Sequence, residues 1–191
     1  MIVGRRWLEA FGVAISALAL ASCYRGSAHG VSIADVTRED GWTLVDGVPL
    51  IRQSSEHGCG AAALAMVLQH WGVASSDVDV TRDIPGGEQG SIPAGSLRDL
   101  AREKGLRAFL VRGTEADLVR EVALDRPVLV GLVQQYTSRS YAHYEVVVGI
   151  NQRTRQLLML DPGRGMREDD LVAFAIEWEK AGRLALVVGP H

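Results

Sequence analysis

The sequence predicts an α+β domain, with helices gathered early in the chain and consecutive strands, hence an antiparallel sheet, later. Three observations predict it. Gly60 to Trp71 is a run of Ala, Leu, Met and Val that is apolar on nearly every side, as a helix buried mid-domain must be. Beyond Arg126 the helical spacing gives way to β-prone apolar runs separated by turn residues. A length of 191 residues, 47% hydrophobic and 23% charged, is enough for one domain with a real core.

Each element follows in order. Val48 to Ile51 reads as a short extended segment leading to the buried helix, and Gly72 is placed to end that helix. "IPGGEQGSIP", Ile84 to Pro93, is loop. Ser96 to Lys104 makes a second helix closed by Gly105. Thr114 to Leu124 makes a third, with Thr114 and Asp117 at capping-box spacing. Arg126 to Val133, Ala142 to Ile150, Gln156 to Pro162 and Arg183 to Pro190 read as strands. An amphipathic helix, Asp169 to Lys180, separates the last two.

The N-terminus reads as a processing signal. Arg5 and Arg6 precede an apolar stretch, Phe11 to Leu20, too short to span a bilayer well. It ends in "LASC", which resembles the bacterial lipobox, in which a cysteine becomes lipidated and then N-terminal. The expected organisation is therefore a signal peptide over 1–22, lipidated Cys23 with a tether over 23–45, and a folded domain over 46–191. "YRGSAHGVS" is small and polar, as a flexible tether should be. Such a protein sits on the bacterial cell envelope, facing the periplasm or the exterior, with the lipid as its membrane contact.

Composition excludes several classes. Lys+Arg 20 against Asp+Glu 23 gives a net charge of −3 with no basic stripe, so nucleic acid is not an expected partner. No G-x-x-x-x-G-K-[ST] occurs, so the chain is no ATPase. Histidines and acids lack paired ligand spacing, and no metal or cofactor is expected.

With Cys23 lipidated, Cys59 is the remaining thiol and has no partner for a disulfide. It stands at the mouth of the buried helix, where unpaired amides favour a thiolate. Gly58 and Gly60 on either side would let a substrate backbone come close. The plain alternative is a packed cysteine in a helix cap. A thiolate nucleophile needs a proton carrier. His29 falls in the tether, His191 is the last residue, and His57 is too near in sequence. His70 lies at the far end of the helix, where a cation complements the dipole.

His143 opens a strand and so sits at a sheet edge. A hairpin about Asn151 to Gln156 would return Asp161 to that edge, near enough to orient the ring. Glu145, two residues on and on the same strand face, is the rival acid. Asp161-Pro162-Gly163 would equally serve as a plain turn. Gln53, shortly upstream of Cys59, can donate a side-chain amide to an oxyanion.

Together, "Q-x5-C-G-A-A-A-L-A-M-V-L", "A-H-Y-E-V-V-V-G-I" and "L-L-M-L-D-P-G-R-G" resemble the C39 family of papain-like cysteine peptidases. These are best known as N-terminal domains of bacteriocin-exporting ABC transporters. The tail "W-E-K-A-G-R-L-A-L-V-V" looks like that of stand-alone envelope lipoproteins with this domain. The resemblance implies a papain-like fold with Cys59 as nucleophile, His143 as base and acid, Asp161 as orienting acid and Gln53 in the oxyanion hole. It also implies a peptide substrate, cut after a small pair such as Gly-Gly in a leader peptide. Gly58 departs from the family's usual acidic or amide residue before the cysteine. A domain that keeps the fold but only binds peptides is the alternative, and complete retention of the four side chains weighs against it.

Overall fold

The computed structural model describes residues 24–37 and 40–191. The expected signal peptide and Cys23 lie outside the described residues. Helix α1, Cys59–His70, runs through the middle of the domain with Cys59 to Leu68 all buried. Its alanines and unbranched apolar residues favour helix and leave no polar face to solvate. Gly72, at φ +76°, ends it by adopting the left-handed conformation that follows a helix. Around α1 pack α2 (Asp77–Asp83) and α3 (Ala94–Glu103).

The sheet contains β1 (His29–Gly30), β2 (Thr43–Leu44), β3 (Arg107–Arg112), β4 (Val128–Gln135), β5 (Ser140–Asn151), β6 (Gln156–Asp161), β7 (Gly165–Asp170) and β8 (Leu184–Gly189). The order is β1-β7-β6-β5-β4-β8-β3, with β2 pairing β5, and every pairing is antiparallel. Helix α4 (Glu115–Ala123) starts in a reciprocal Thr114–Asp117 capping box, and α5 (Leu171–Lys180) packs on β4 and β7. The α+β class is thus the observed one. Among the described residues no helix is long and apolar enough to cross a membrane.

Besides the short strands β1 and β2 in the expected tether, three longer elements were not anticipated. Helix α2 begins at a Ser76–Asp79 capping box and is short and polar, so it carries little apolar periodicity. Strand β3 lies on the sheet edge with Phe109 and Val111 exposed, which blurs its alternation. Strand β7 turns Arg167 and Asp169 inward, so its buried face is charged and reads from sequence as a loop.

The stretch expected to be a free tether is packed against the sheet instead. His29 and Gly30 pair with Glu168 and Arg167, and Tyr24 bridges to Tyr136. Ser27 Oγ donates to Asp169, and Tyr24 Oη donates to Glu177 at 3.0 Å. The physical reason is that β7 and α5 bury acids that need donors, and this small polar segment supplies them.

Candidate active site

Strand β5 carries His143 and then swings beside β6, whose last residue is Asp161. Val146 meets Leu160 and Val147 meets Met159 before a register shift between Val147 and Gly149. His143 Nε2 lies 2.9 Å from Asp161 Oδ1 and 4.0 Å from Glu145 Oε1. Asp161 Oδ1 also accepts the backbone N–H groups of Gly163 (2.7 Å) and Arg164 (3.1 Å). The turn and the carboxylate are therefore one device: the turn's amides hold the acid that faces the ring.

Cys59, the free cysteine among the described residues, is the first residue of α1 and only 7% exposed. The His143 ring and the backbone N–H groups of Tyr144 and Gly60 lie near enough to the Cys59 sulfur to favour its thiolate. The structure sets Cys59, His143 and Asp161 side by side as a chain of neighbouring groups. These residues line an open cleft of about 960 Å³, together with Gln53 and His57.

Electrostatics polarise this chain. Burial raises the Cys59 thiol, but the His143 hydrogen bond and charge outweigh it, with the two amides adding to them, and the net shift is downward. Burial opposes a charge on His143, yet Asp161, Cys59 and Glu145 together push its pKa up to about 10. Burial likewise works against the Asp161 carboxylate, but His143 and the Gly163 amide hold it below the usual range. Both shifts favour thiolate beside imidazolium.

Beneath the histidine lies a buried charge cluster. Glu145 is fully buried; its Oε1 accepts from Gln134 Nε2 at 2.7 Å, and its Oε2 has no partner among the described residues. Arg167 Nη1 stands 3.5 Å from Glu145 and 3.3 Å from Asp161, while Nη2 donates to Ala28 O. His143, Glu145 and Asp161 bring one ligand atom each within 4.8 Å of one another. The guanidinium of Arg167 already supplies the cation beside both carboxylates, which disfavours a metal there.

Two expectations shift, and the remaining histidines stay away from the site. Gln53 does reach the cleft, but its Nε2 donates to the carbonyls of Ser55 (2.8 Å) and Glu56 (3.2 Å). Its own N–H is held by Pro162 O, so the loop is tied to the Asp161 turn. The glycines flanking Cys59 serve internal packing rather than an approaching substrate. A Cβ on Gly60 would come within 3.1 Å of the Tyr144 ring, and one on Gly58 within 3.0 Å of Ser55 Oγ. His70 sits at the far end of α1, with Nε2 3.1 Å from Asp125 O, and His29 lies at the β1 edge near Ser27 O. Sequence reasoning missed Arg167, Gln134 and Tyr24. The one signal was an arginine flanked by acids in "MREDD", a pattern that ordinarily marks a solvated face.

A sequence profile of the Peptidase_C39 like family matches residues 45–186. An uncharacterized protein of Methanothermobacter marburgensis is 32% identical over 117 residues, 61% of this chain and 72% of that protein. The peptidase domain of Streptococcus ComA, a bi-functional ABC transporter involved in a quorum-sensing pathway, superposes with a TM-score of 0.61. It is 24% identical, and the match covers 76% of this chain and all of that domain. A double glycine motif protease from an AMS/PCAT transporter, solved with its leader peptide, gives 0.55 at 21% identity, over 78% of this chain and 94% of that one. At these identities the solved structures establish the shared fold.

Proposed function

The chain belongs to the Peptidase_C39 like family, and on that premise we propose that it is a cysteine endopeptidase working through Cys59, His143 and Asp161. The observation that carries this reading is a His143 ring hydrogen-bonded to Asp161 and neighbouring the Cys59 sulfur, all three lining one cleft. Nε2 of the ring is committed to Asp161, which leaves Nδ1 to serve the sulfur.

In this scheme the Cys59 thiolate attacks a peptide carbonyl, and the carbon–sulfur bond forms as the C=O π pair moves onto oxygen. His143, already protonated, gives its proton to the leaving amine as the C–N bond breaks. Water, deprotonated by His143, then releases the acyl group and restores the thiolate. Asp161 holds the ring and stabilises the imidazolium. The backbone N–H of Cys59 and the Gln53 amide receive the oxyanion; Gln53 exchanges one of its loop carbonyls for the substrate oxygen. The leader peptide bound by the transporter protease supports a peptide substrate, cut after a Gly-Gly-type pair. Lipid on Cys23 would hold the enzyme to a membrane of the envelope, and loss of labelled-palmitate incorporation in C23S tests that.

Iodoacetamide at about pH 6 tests the site. Fast modification of Cys59 that slows in H143A supports the reading; a rate no faster than that of a free thiol, or one indifferent to H143A, overturns it. A second reading, a peptide-binding module without turnover, draws on the engaged Gln53 amide. It predicts peptide binding with no acyl-enzyme, which mass spectrometry after rapid acid quenching would detect.

A further inference from the structure

The protein is acidic as a whole, with a net charge of −3, yet the cleft holding Cys59 carries two arginines. Arg139 sits at the tip of the β4–β5 hairpin, where Tyr136 N donates to Arg139 O at 2.9 Å. Arg164 sits in the β6–β7 turn, its backbone N–H bonded to the Asp161 carboxylate. One is four residues before His143 and the other three after Asp161, so both are fixed to the reacting machinery by its own elements.

How these guanidiniums are held is the informative point. Arg139 lies 4.5 Å over the Tyr141 ring; Arg164 lies 5.2 Å over Tyr24 and 5.3 Å over Tyr136. A ring face attracts a guanidinium without accepting its N–H groups in the way a carboxylate does, so the carboxylate-matching donors remain to be satisfied. Among the described residues neither has an acid within ion-pair distance, whereas Arg82, Arg120, Arg155 and Arg183 each do. Of the acids lining the cleft, Asp161 is engaged by His143 and Arg167, and Glu56 is exposed on the loop before α1. Arg164 is exposed, but partial desolvation and the nearby Arg167 charge act against its cation and outweigh the support of Tyr24 and Glu177. An incoming anion would relieve that repulsion.

We infer that the cleft selects peptides bearing an aspartate or glutamate close to the bond presented to Cys59, with Arg139 and Arg164 receiving that carboxylate. This deepens the peptidase reading and rests on it. The segment around Tyr24 thereby belongs to the specificity wall, since its ring helps hold Arg164.

Two measurements on the full chain separate the two ideas. The first needs no substrate: the rate of Cys59 alkylation by anionic iodoacetate, divided by that with neutral iodoacetamide, is compared between wild type and R139E/R164E. The ratio is expected to fall at least about fivefold and to lose its salt dependence. An unchanged ratio overturns the inference. It can be read at alkaline pH even if slow labelling at about pH 6 has already sunk the peptidase reading. The second is cleavage of a proteome-derived peptide library. Acidic residues should be enriched within about four positions of the cuts, and the enrichment should vanish in the gentler R139Q/R164Q. Cutting without acidic enrichment overturns the inference and upholds the peptidase. No cutting sinks the peptidase, and the alkylation ratio then decides on the carboxylate site alone.

Discussion

Strand β5 is two strands in one. From Val146 to Ile150 it is apolar or glycine and wholly buried; from His143 to Glu145 it carries a ring, a phenol and a carboxylate. Burying each aliphatic side chain in the first part contributes about 1.5–3 kcal/mol. In the second part a fully buried carboxylate with an unpartnered oxygen, beside Asp161 and Arg167, contributes little and can cost stability. The same backbone thus anchors the fold at one end and holds the reacting groups at the other. Stability and chemistry are divided along a single element, so they should respond to different substitutions.

Substitutions in the polar half should have the greatest consequence for activity. C59A should lower peptide cleavage by about 10⁴-fold or more, and H143A by a comparable factor. Thermal denaturation should show neither protein less stable than wild type by more than a few degrees. A collapse in melting temperature for H143A would mean that the polar half of β5 holds the fold after all. On the apolar side, Ile150→Ala should cost about 2–5 kcal/mol in urea denaturation. Activity per folded molecule should survive; its selective loss would erase the division.

pH sharpens the contrast. The thiolate–imidazolium pair exists above the lowered Cys59 pKa and below the raised His143 pKa, near about 10. The rate of peptide cleavage should therefore rise on the acid side below the ordinary thiol value and fall near pH 10. A basic limb at the ordinary imidazole value would remove the ion pair.

The smallest expected effect concerns stability. Burial first, then the neighbouring Asp161 charge, raises Glu145 from its ordinary value to about 7, against the pull of His143 and Arg167. A raised carboxylate favours the folded state below its unfolded pKa, and that contribution is lost as pH rises through about 7. The melting temperature should fall across that window by roughly 5 °C, and Glu145→Gln should flatten the fall. An unaltered slope would show that Glu145 keeps one charge state throughout.

Legibility in the sequence followed the same division. The apolar half of each element announced itself: α1, β4, β5, β6 and β8 all appear within a few residues of where periodicity put them. The hairpin between β5 and β6 was also readable, and with it the meeting of His143 and Asp161 at one edge. Arg167 was not. A buried cation in "MREDD" looks like a solvated charge run until its partners Asp161, Glu145 and Ala28, each from another segment, are assembled around it. The 24–30 segment escaped for the same reason, because its role is to satisfy groups far along the chain.

Local chemistry alone determined that a thiol would head a buried apolar helix and that a histidine and an aspartate would meet on neighbouring strands, although β5 starts three residues before His143. Periodicity and turn residues act over a few positions, so they are written in the chain order. Only the tertiary structure decided which acid faces the ring, where the Gln53 amide points, and which cation neutralises the buried carboxylates. Those outcomes depend on desolvation and on distances of a few ångströms between remote residues, quantities that exist only once the sheet has closed around α1.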